Sequence, residues 1–142
     1  MGNFVVGTRD CTASPEGVWS LLADVDRWPE TWAPHLAEAH LEGPPRLGAS
    51  GWVRTRIPPI RSSFRVTSVQ DGRNWAWTGR MLWLTLDFDH RCEPTPDGTR
   101  VTLDVSLSGV MGGVVRLLAR PVYRRQMERA LDLLVELAEH RA

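Results

Sequence analysis

Apolar and polar residues alternate strictly in the middle of this chain. From Leu82 to Cys92, and again from Val101 to Leu107, every second residue is apolar, with the imidazole of His90 as the one polar member of that face. A period of two is the pattern of a strand with one face in the core and the other in water. The turn sequence Pro94–Gly98 separates the two segments. We therefore predict two neighbouring strands of an antiparallel sheet.

The flanking sequence predicts further strands of the same sheet. β-branched and apolar residues favour strands over 4–12, 52–57, 63–70 and 74–79. Asp71–Gly72 is a hairpin dipeptide, and Pro58–Pro59 indicates a loop or a sheet edge. Residues 36–42 fit a helix or a strand, and we favour a strand because Gly43–Pro45 ends the segment so soon. The sheet then has about six to seven strands.

Two short helices are predicted directly after the first strand. Ser14 is a favourable N-cap and Pro15 suits the first helical position. Apolar residues recur at helical spacing up to Leu22, which predicts a helix over 15–22. Asp24 can cap a second, shorter helix over 24–33.

A long helix is predicted after Gly109, where the hydrophobic period changes from that of a strand to that of a helix. Its apolar stripe is predicted to contain Met111, Val114, Leu118, Val122, Met127, Leu131, Leu134 and Ala138. Pro121 lies within this segment, so we expect a kink there unless the helix begins at that residue.

This order of elements predicts an α+β fold with a single domain over residues 1–142. Consecutive hairpins build a curved antiparallel sheet that buries one face, and only the C-terminal helix is long enough to cover that face. The sheet would wrap around this helix and enclose a cavity.

Composition argues against several functional classes. Lys+Arg and Asp+Glu both number 17, so no overall field attracts nucleic acid. The chain lacks the roughly 20 consecutive apolar residues of a membrane-spanning helix, and its first residues lack the pattern of a secretory signal. We expect a cytoplasmic protein with no integral membrane association and no nucleic-acid partner.

Metal and cofactor sites are not expected. Cys11 and Cys92 do not form a close ligand pair, and we expect both to be reduced and buried. His35 and His40 have a spacing that suits neither a helical nor a strand metal site.

His90 is the best single candidate for acid–base chemistry, because it shares the apolar face of its strand with Leu86 and Phe88. The alternative is a structural histidine with a hydrogen bond at the end of the strand. Asp87, Asp89 and Glu93 lie on the opposite face, where solvation is the simpler interpretation.

Arginines and tryptophans give two more candidate ligand contacts. If Arg54 and Arg56 point inward, they can bind a carboxylate or phosphate; if Val53 points inward instead, they only keep the outer sheet soluble. Trp75 and Trp77 share a face that can line a cavity, although seven tryptophans also fit a packing role.

Several motifs together resemble the helix-grip START-like superfamily (SRPBCC), which includes lipid-transfer domains, pollen-allergen-like proteins and bacterial polyketide cyclase/dehydrase proteins. They are Ala13-Ser14-Pro15-Glu16-x-Val18-Trp19, Asp24, Trp28-Pro29, Trp32, Trp77, His90-x-x-x-Pro94, Asp97-Gly98-Thr99-Arg100-Val101-Thr102 and Gly109. The resemblance spans nearly the whole chain. It implies an apolar pocket between the sheet and the long helix, in which some members carry lipids and others fold a polyketide chain.

The expected function is binding of a small hydrophobic ligand, lipid or polyketide-like, by a carrier or sensor. The expected ligand-binding residues are Trp28, Trp32, Arg54, Trp75, Trp77, Leu86, Phe88, His90, Met111, Leu118, Val122 and Tyr123. An alternative is a polyketide cyclase/dehydrase-type enzyme with His90 as the candidate catalytic residue. A further alternative is a protein-interaction module, and a homodimer is compatible with the sequence. A cavity of roughly 300 Å³ or more favours ligand binding or catalysis, whereas a tightly filled interior favours the interaction module.

Overall fold

The computed structural model describes residues 2–141 as a seven-stranded antiparallel sheet packed against a long C-terminal helix. The strands are β1 (Gly2–Cys11), β2 (Leu36–Leu41), β3 (Ser50–Thr55), β4 (Arg61–Gln70), β5 (Asn74–Met81), β6 (Leu84–Thr95) and β7 (Gly98–Ser108). The helices are α1 (Pro15–Ala23), a 3₁₀ helix (Val25–Glu30) and α2 (Gly112–Arg141). The predicted helix-grip fold is confirmed.

Strand order follows the chain except at one edge. The sheet runs β1-β7-β6-β5-β4-β3-β2, so every pair is a hairpin neighbour apart from β1 and β7. Residues 36–42 were ambiguous by pattern, and the strand interpretation is confirmed by β2. Register shifts in the β1–β7, β2–β3 and β4–β5 pairs interrupt the regular ladder. Such irregularities bend strands and increase their twist, which helps the sheet curl around α2.

Helix α1 begins as its sequence predicts. Ser14 accepts a hydrogen bond from the backbone N–H of Gly17 (3.2 Å), and Pro15 occupies the first turn. The predicted second helix is shorter than 24–33 and is a 3₁₀ helix over Val25–Glu30. This segment places Trp28 in the core, next to Trp32.

The alternation that starts at Leu82 overstates the length of its strand. Leu82 has a φ of 58° and belongs with Trp83 to the turn between β5 and β6, and both side chains are exposed. The strand begins at Leu84. From there Leu84, Leu86 and His90 are buried, as the alternation predicts.

The predicted apolar stripe of α2 is right in its second half and wrong in its first. Met127, Leu131, Leu134 and Ala138 are buried, whereas Met111, Val114, Leu118 and Val122 are exposed. The step from Val122 to Met127 is five residues, which turns the side chain by about 140° around the helix axis. The two sets therefore cannot share one face. The helix continues through Pro121.

A close approach holds α2 on the sheet. A Cβ atom on Gly7 of β1 would lie 2.6 Å from Cδ1 of Leu131 and 3.1 Å from Sδ of Met127. A larger residue at this position would require the Leu131 and Met127 side chains to shift. The second half of α2 is thereby fixed against β1, while the first half crosses the inner face of the sheet and leaves space beneath it.

Candidate ligand cavity

A cavity of about 280 Å³ lies between the inner face of the sheet and the first half of α2. This volume is close to the lower end of ligand-binding pockets, about 300 Å³. Its lining is mostly apolar and consists of Phe4, Trp28, Trp32, Ala33, His35, Leu36, Val53, Thr55, Ile57, Pro58, Ile60, Ser62, Trp77, Met81, Leu84, Leu86, Phe88, Leu103, Val105, Leu107, Val115, Ala119, Val122, Tyr123, Gln126, Met127 and Ala130. The exposed residues among them, Ile57, Pro58 and Val122, mark its mouth.

Two tryptophans are anchored in the cavity wall by a single carbonyl group. The indole N–H groups of Trp28 and Trp32 both donate to the backbone oxygen of Leu21, at 3.3 and 3.2 Å. Their rings meet edge to face, with centroids 5.0 Å apart. Because both polar atoms are already paired, these rings offer the ligand only apolar surface.

Trp77 differs from these two because its indole nitrogen has no partner. The ring stacks on Phe64 at a centroid distance of 4.5 Å and lies near Phe88 at 5.5 Å. Its Nε1 is buried and makes no hydrogen bond among the described residues. A buried donor without an acceptor costs about 1–3 kcal/mol. An acceptor atom on a bound molecule would remove this cost.

Tyr123 and His35 add uncharged polar groups to the lining. Burial raises the pKa of the Tyr123 hydroxyl, so this group stays protonated at neutral pH. Burial also lowers the pKa of His35 to about 4, so its imidazole is neutral. No described residue that lines the cavity carries a charged side chain under these conditions. The site favours a neutral ligand, because an ion entering it would lose its hydration without gaining a counter-charge.

The other hydroxyl groups of the lining are already used. The Ser62 hydroxyl donates to the carbonyl oxygen of Arg80 at 2.8 Å. Thr55 donates to the carbonyl oxygen of Pro58 and accepts from the backbone N–H of Ile60 at 3.1 Å. These bonds fix the loop at the cavity mouth. The Tyr123 hydroxyl, the side chains of His35 and Gln126, and the covered N–H of Trp77 remain without a hydrogen-bond partner among the described residues.

His90 lies behind the cavity wall and does not line it. The ring is fully buried and stacks between Trp75 and Phe88, at centroid distances of 4.5 and 4.3 Å. Its Nδ1 lies 3.1 Å from the carbonyl oxygen of Trp75, which can only accept, so Nδ1 carries the proton. Burial lowers its pKa to about 4. A neutral, covered imidazole cannot exchange protons with a molecule in the cavity.

A family model described as polyketide cyclase / dehydrase and lipid transport matches residues 5–139. The chain belongs to this family. No functionally curated protein matches it. The match to the polyketide cyclase / dehydrase and lipid transport family covers β2 to β7 completely and most of β1 and α2.

Solved structures share this family fold at low sequence identity. The di-domain ARO/CYC protein StfQ from the steffimycin biosynthetic pathway superposes with a TM-score of 0.75 at 18% identity, over 96% of this chain and 50% of StfQ. DynU16 from the dynemicin biosynthetic locus gives 0.72 at 18% identity, over 95% and 46%. A START superfamily protein from Mycobacterium smegmatis gives 0.73 at 19% identity, over 95% and 98%. The chain thus spans about half of StfQ and of DynU16, and these likenesses show the fold alone.

The structure of this polyketide cyclase / dehydrase and lipid transport family member separates the predicted ligand contacts into two groups. The residues that line the cavity are Trp28, Trp32, Trp77, Leu86, Phe88, Val122 and Tyr123. The residues that lie elsewhere are Arg54, Trp75, His90, Met111 and Leu118. Trp75 is completely buried, with its N–H donated to the carbonyl oxygen of Leu22 at 3.2 Å. Met111 and Leu118 are exposed on the outside of the protein.

The two arginines predicted to face either inward or outward, Arg54 and Arg56, lie on the outside of the protein. The Nε atom of Arg54 donates to Glu38 at 2.9 Å on the outer face, and that of Arg56 donates to the carbonyl oxygen of Pro34 at 2.8 Å. Val53 points into the cavity instead. Neither guanidinium group lines the cavity: alternation along β3 directs Arg54 outward, and the hydrogen bond to Pro34 holds Arg56 outside.

Sequence reasoning missed His35, Gln126 and the loop around Ile57–Ile60. His35 was weighed only as a metal ligand, and Gln126 lies on a helix face that the wrong stripe had placed elsewhere. The loop gave a usable signal, because Ile57, Pro58 and Ile60 are apolar residues in a segment without strand alternation. An apolar loop between polar strands is typical of the rim of a pocket.

Proposed function

We propose that this protein is a carrier or sensor that binds one small, neutral, hydrophobic molecule bearing at least one hydrogen-bond acceptor. The observation that carries the proposal is the unpartnered N–H of Trp77 in the wall of an uncharged, apolar cavity. Membership of a family whose description includes lipid transport supports it. The cytoplasmic location, the absence of a nucleic-acid partner and the compatible homodimer stay predictions.

The first experiment identifies the ligand. Protein purified without detergent is extracted with organic solvent, and the extract is analysed by mass spectrometry. We expect a neutral, weakly polar molecule at a fixed ratio to protein, small enough for a cavity of about 280 Å³. A ligand with a phosphate or carboxylate group would contradict the proposal, because the lining offers no counter-charge.

The second experiment tests the role of Trp77. In Trp77→Phe an aromatic ring remains but the N–H donor is lost, so binding no longer relieves the cost of about 1–3 kcal/mol of the unpartnered donor and should be roughly 5- to 160-fold weaker. Titration of apo protein with the extracted ligand measures this change. Trp52→Phe is the matched control, since Trp52 lies on the outer face under Arg61. Equal affinities of Trp77→Phe and wild type would remove the hydrogen bond from the proposal.

A cyclase or dehydratase is the second candidate function. The family description and the likeness to StfQ support it, and Tyr123 supplies a protonated hydroxyl within the cavity. Because His90 is covered, such an enzyme would depend on Tyr123 and on the positioning of the chain by the walls. Incubation with a linear polyketide mimic separates the two functions: a cyclised or dehydrated product that Tyr123→Phe abolishes indicates an enzyme, and unchanged mimic indicates a carrier.

A further inference from the structure

An exposed apolar surface lies beside the mouth of the cavity. It is formed by the turn between β5 and β6, the turn between β7 and α2, and the first turns of α2. Its main residues are Leu82, Trp83, Val110, Met111, Leu117 and Leu118, each between 58% and 76% exposed; we call them the apolar tip. The indole N–H of Trp83 donates to the carbonyl oxygen of Val110 at 2.8 Å and so joins the two turns.

The outward face of α2 changes character along its length. In the second half it carries acidic residues such as Asp132 and Glu136, as expected for a face in water. In the first half the same face carries Leu117, Leu118 and Pro121. A run of large apolar side chains on the solvent side of a helix marks an interaction surface.

The charged residues near the apolar tip indicate which kind of partner this surface binds. Residues 109–127 contain four arginines and no Asp or Glu. Arg124 and Arg125 are exposed, and no acidic side chain among residues 2–141 pairs with either. They follow Leu118 by six and seven residues, about 10 Å along the helix axis. The apolar tip matches the acyl layer of an anionic lipid bilayer, and Arg124 and Arg125, further along the helix, match its negatively charged headgroups.

A second copy of this chain fits the surface less well. A two-fold dimer would bring the same patch together from both copies, so the unpaired arginines of one would face those of the other. Anionic headgroups supply the missing negative charge and the acyl layer supplies apolar contact. Both observations favour lipid as the occupant.

The tip is continuous with the cavity mouth. Met81 and Val115 line the cavity, and they are sequence neighbours of the exposed Leu82 and Val114. Val122, at the cavity mouth, lies one helical turn after Leu118 of the apolar tip. We propose that the apolar tip and Arg124–Arg125 dock this protein on the surface of an anionic lipid bilayer, with the cavity mouth at the acyl layer. A hydrophobic molecule can then pass between bilayer and cavity without crossing water. This transfer step rests on the proposed function, whereas docking does not.

Vesicle flotation tests the docking. Protein is mixed with vesicles of phosphatidylcholine alone, or of equal parts phosphatidylcholine and phosphatidylglycerol. We expect flotation only with the anionic vesicles, and a loss of binding at high salt. Each arginine near an anionic surface contributes about fivefold to partitioning, so Arg124→Gln with Arg125→Gln should weaken binding about 25-fold. Leu117→Ser with Leu118→Ser should abolish it, and both exposed leucines can be replaced without loss of folding, as a thermal melt will verify.

Arg65→Gln with Arg73→Gln is the matched control, because it removes the same charge from exposed positions, and Arg73 lies in the turn between β4 and β5, at the opposite end of β5 from the apolar tip. It should leave flotation near the wild-type level, and an equal loss would show a nonspecific charge effect and overturn the assignment. Absence of flotation of wild type would overturn docking outright. So would a wild-type dimer in sedimentation that Leu117→Ser with Leu118→Ser makes monomeric, since a second copy would then cover the tip. Trp77→Phe should float normally, which separates failure of docking from failure of cavity binding.

Discussion

The buried imidazole of His90 predicts a loss of stability in mild acid that can be assigned to one residue. The ring is completely buried between Trp75 and Phe88, and its Nε2 has no partner to stabilise a second proton. Burial lowers its pKa from 6.5 to about 4. In the unfolded chain the pKa returns to about 6.5. Between about pH 4 and pH 6.5 the unfolded state therefore binds more protons than the folded state.

The sign and size of the effect follow from this difference. Since the unfolded state holds the extra proton, the free energy of unfolding falls as pH falls from about 6.5 toward 4. The shift corresponds to about 2 kcal/mol lost between pH 7 and pH 5, and about 3 kcal/mol in full, for this one group. His35, whose pKa burial also lowers to about 4, adds a separate loss in the same window.

Urea unfolding at pH 7 and pH 5 measures the loss in wild type and in His90→Phe. The variant keeps an aromatic ring in the stack and removes the titrating group, so its pH-dependent loss should be smaller than that of wild type by about 2 kcal/mol. The compared quantity is the change in the free energy of unfolding between pH 7 and pH 5, so a different stability of the variant at pH 7 does not affect the result. His140→Gln, at an exposed position near the end of α2, is the control and should behave as wild type. A wild-type loss that His90→Phe leaves unchanged would refute the reasoning.

Two further predictions concern the packing of α2 and the protonation of the cavity. Gly7→Ala places a Cβ 2.6 Å from Cδ1 of the buried Leu131, so it should lower the free energy of unfolding by about 1–3 kcal/mol in thermal or urea melts; an unchanged melting curve would show that the Leu131 and Met127 side chains can shift at no cost. Tyr123 is the only tyrosine, and burial raises its pKa above the ordinary 10.0, so folded protein should develop no tyrosinate absorbance just above pH 10. Full absorbance there, with the protein still folded by circular dichroism, would mean that the hydroxyl is in contact with water.

Local pattern was sufficient for the elements and for the fold class. The Ser14–Pro15 start, the period of two after Leu84 and the helical period after Gly109 each reflect interactions within a few residues, namely capping, pleating and the helical turn. The same alternation correctly separated the inner Leu86 from the outer Asp87. Strand ends were less certain, because the turn at Leu82–Trp83 continues the apolar–polar alternation although its backbone leaves the sheet.

Membership of the cavity wall was decided by tertiary structure. His90 and Phe88 share one face of β6, yet Phe88 contacts the cavity and His90 is covered, since Trp75 and Trp28 pack over it from other elements. The alternation along a strand shows that a residue faces inward. It does not show whether another side chain lies between that residue and the cavity.

The sequence pattern likewise could not show which face of α2 packs against the sheet. Apolar residues occur on two faces of this helix, and each half gives an acceptable stripe by itself. The close contact of Leu131 with Gly7 fixes the rotation of the helix, and that rotation turns Leu117 and Leu118 to the outside. A curled sheet, a long helix and an apolar space between them could be predicted from the sequence, because the spacing of apolar residues is a local property of the chain. Contacts between distant segments decided which residues face that space and which apolar residues remain exposed for another surface.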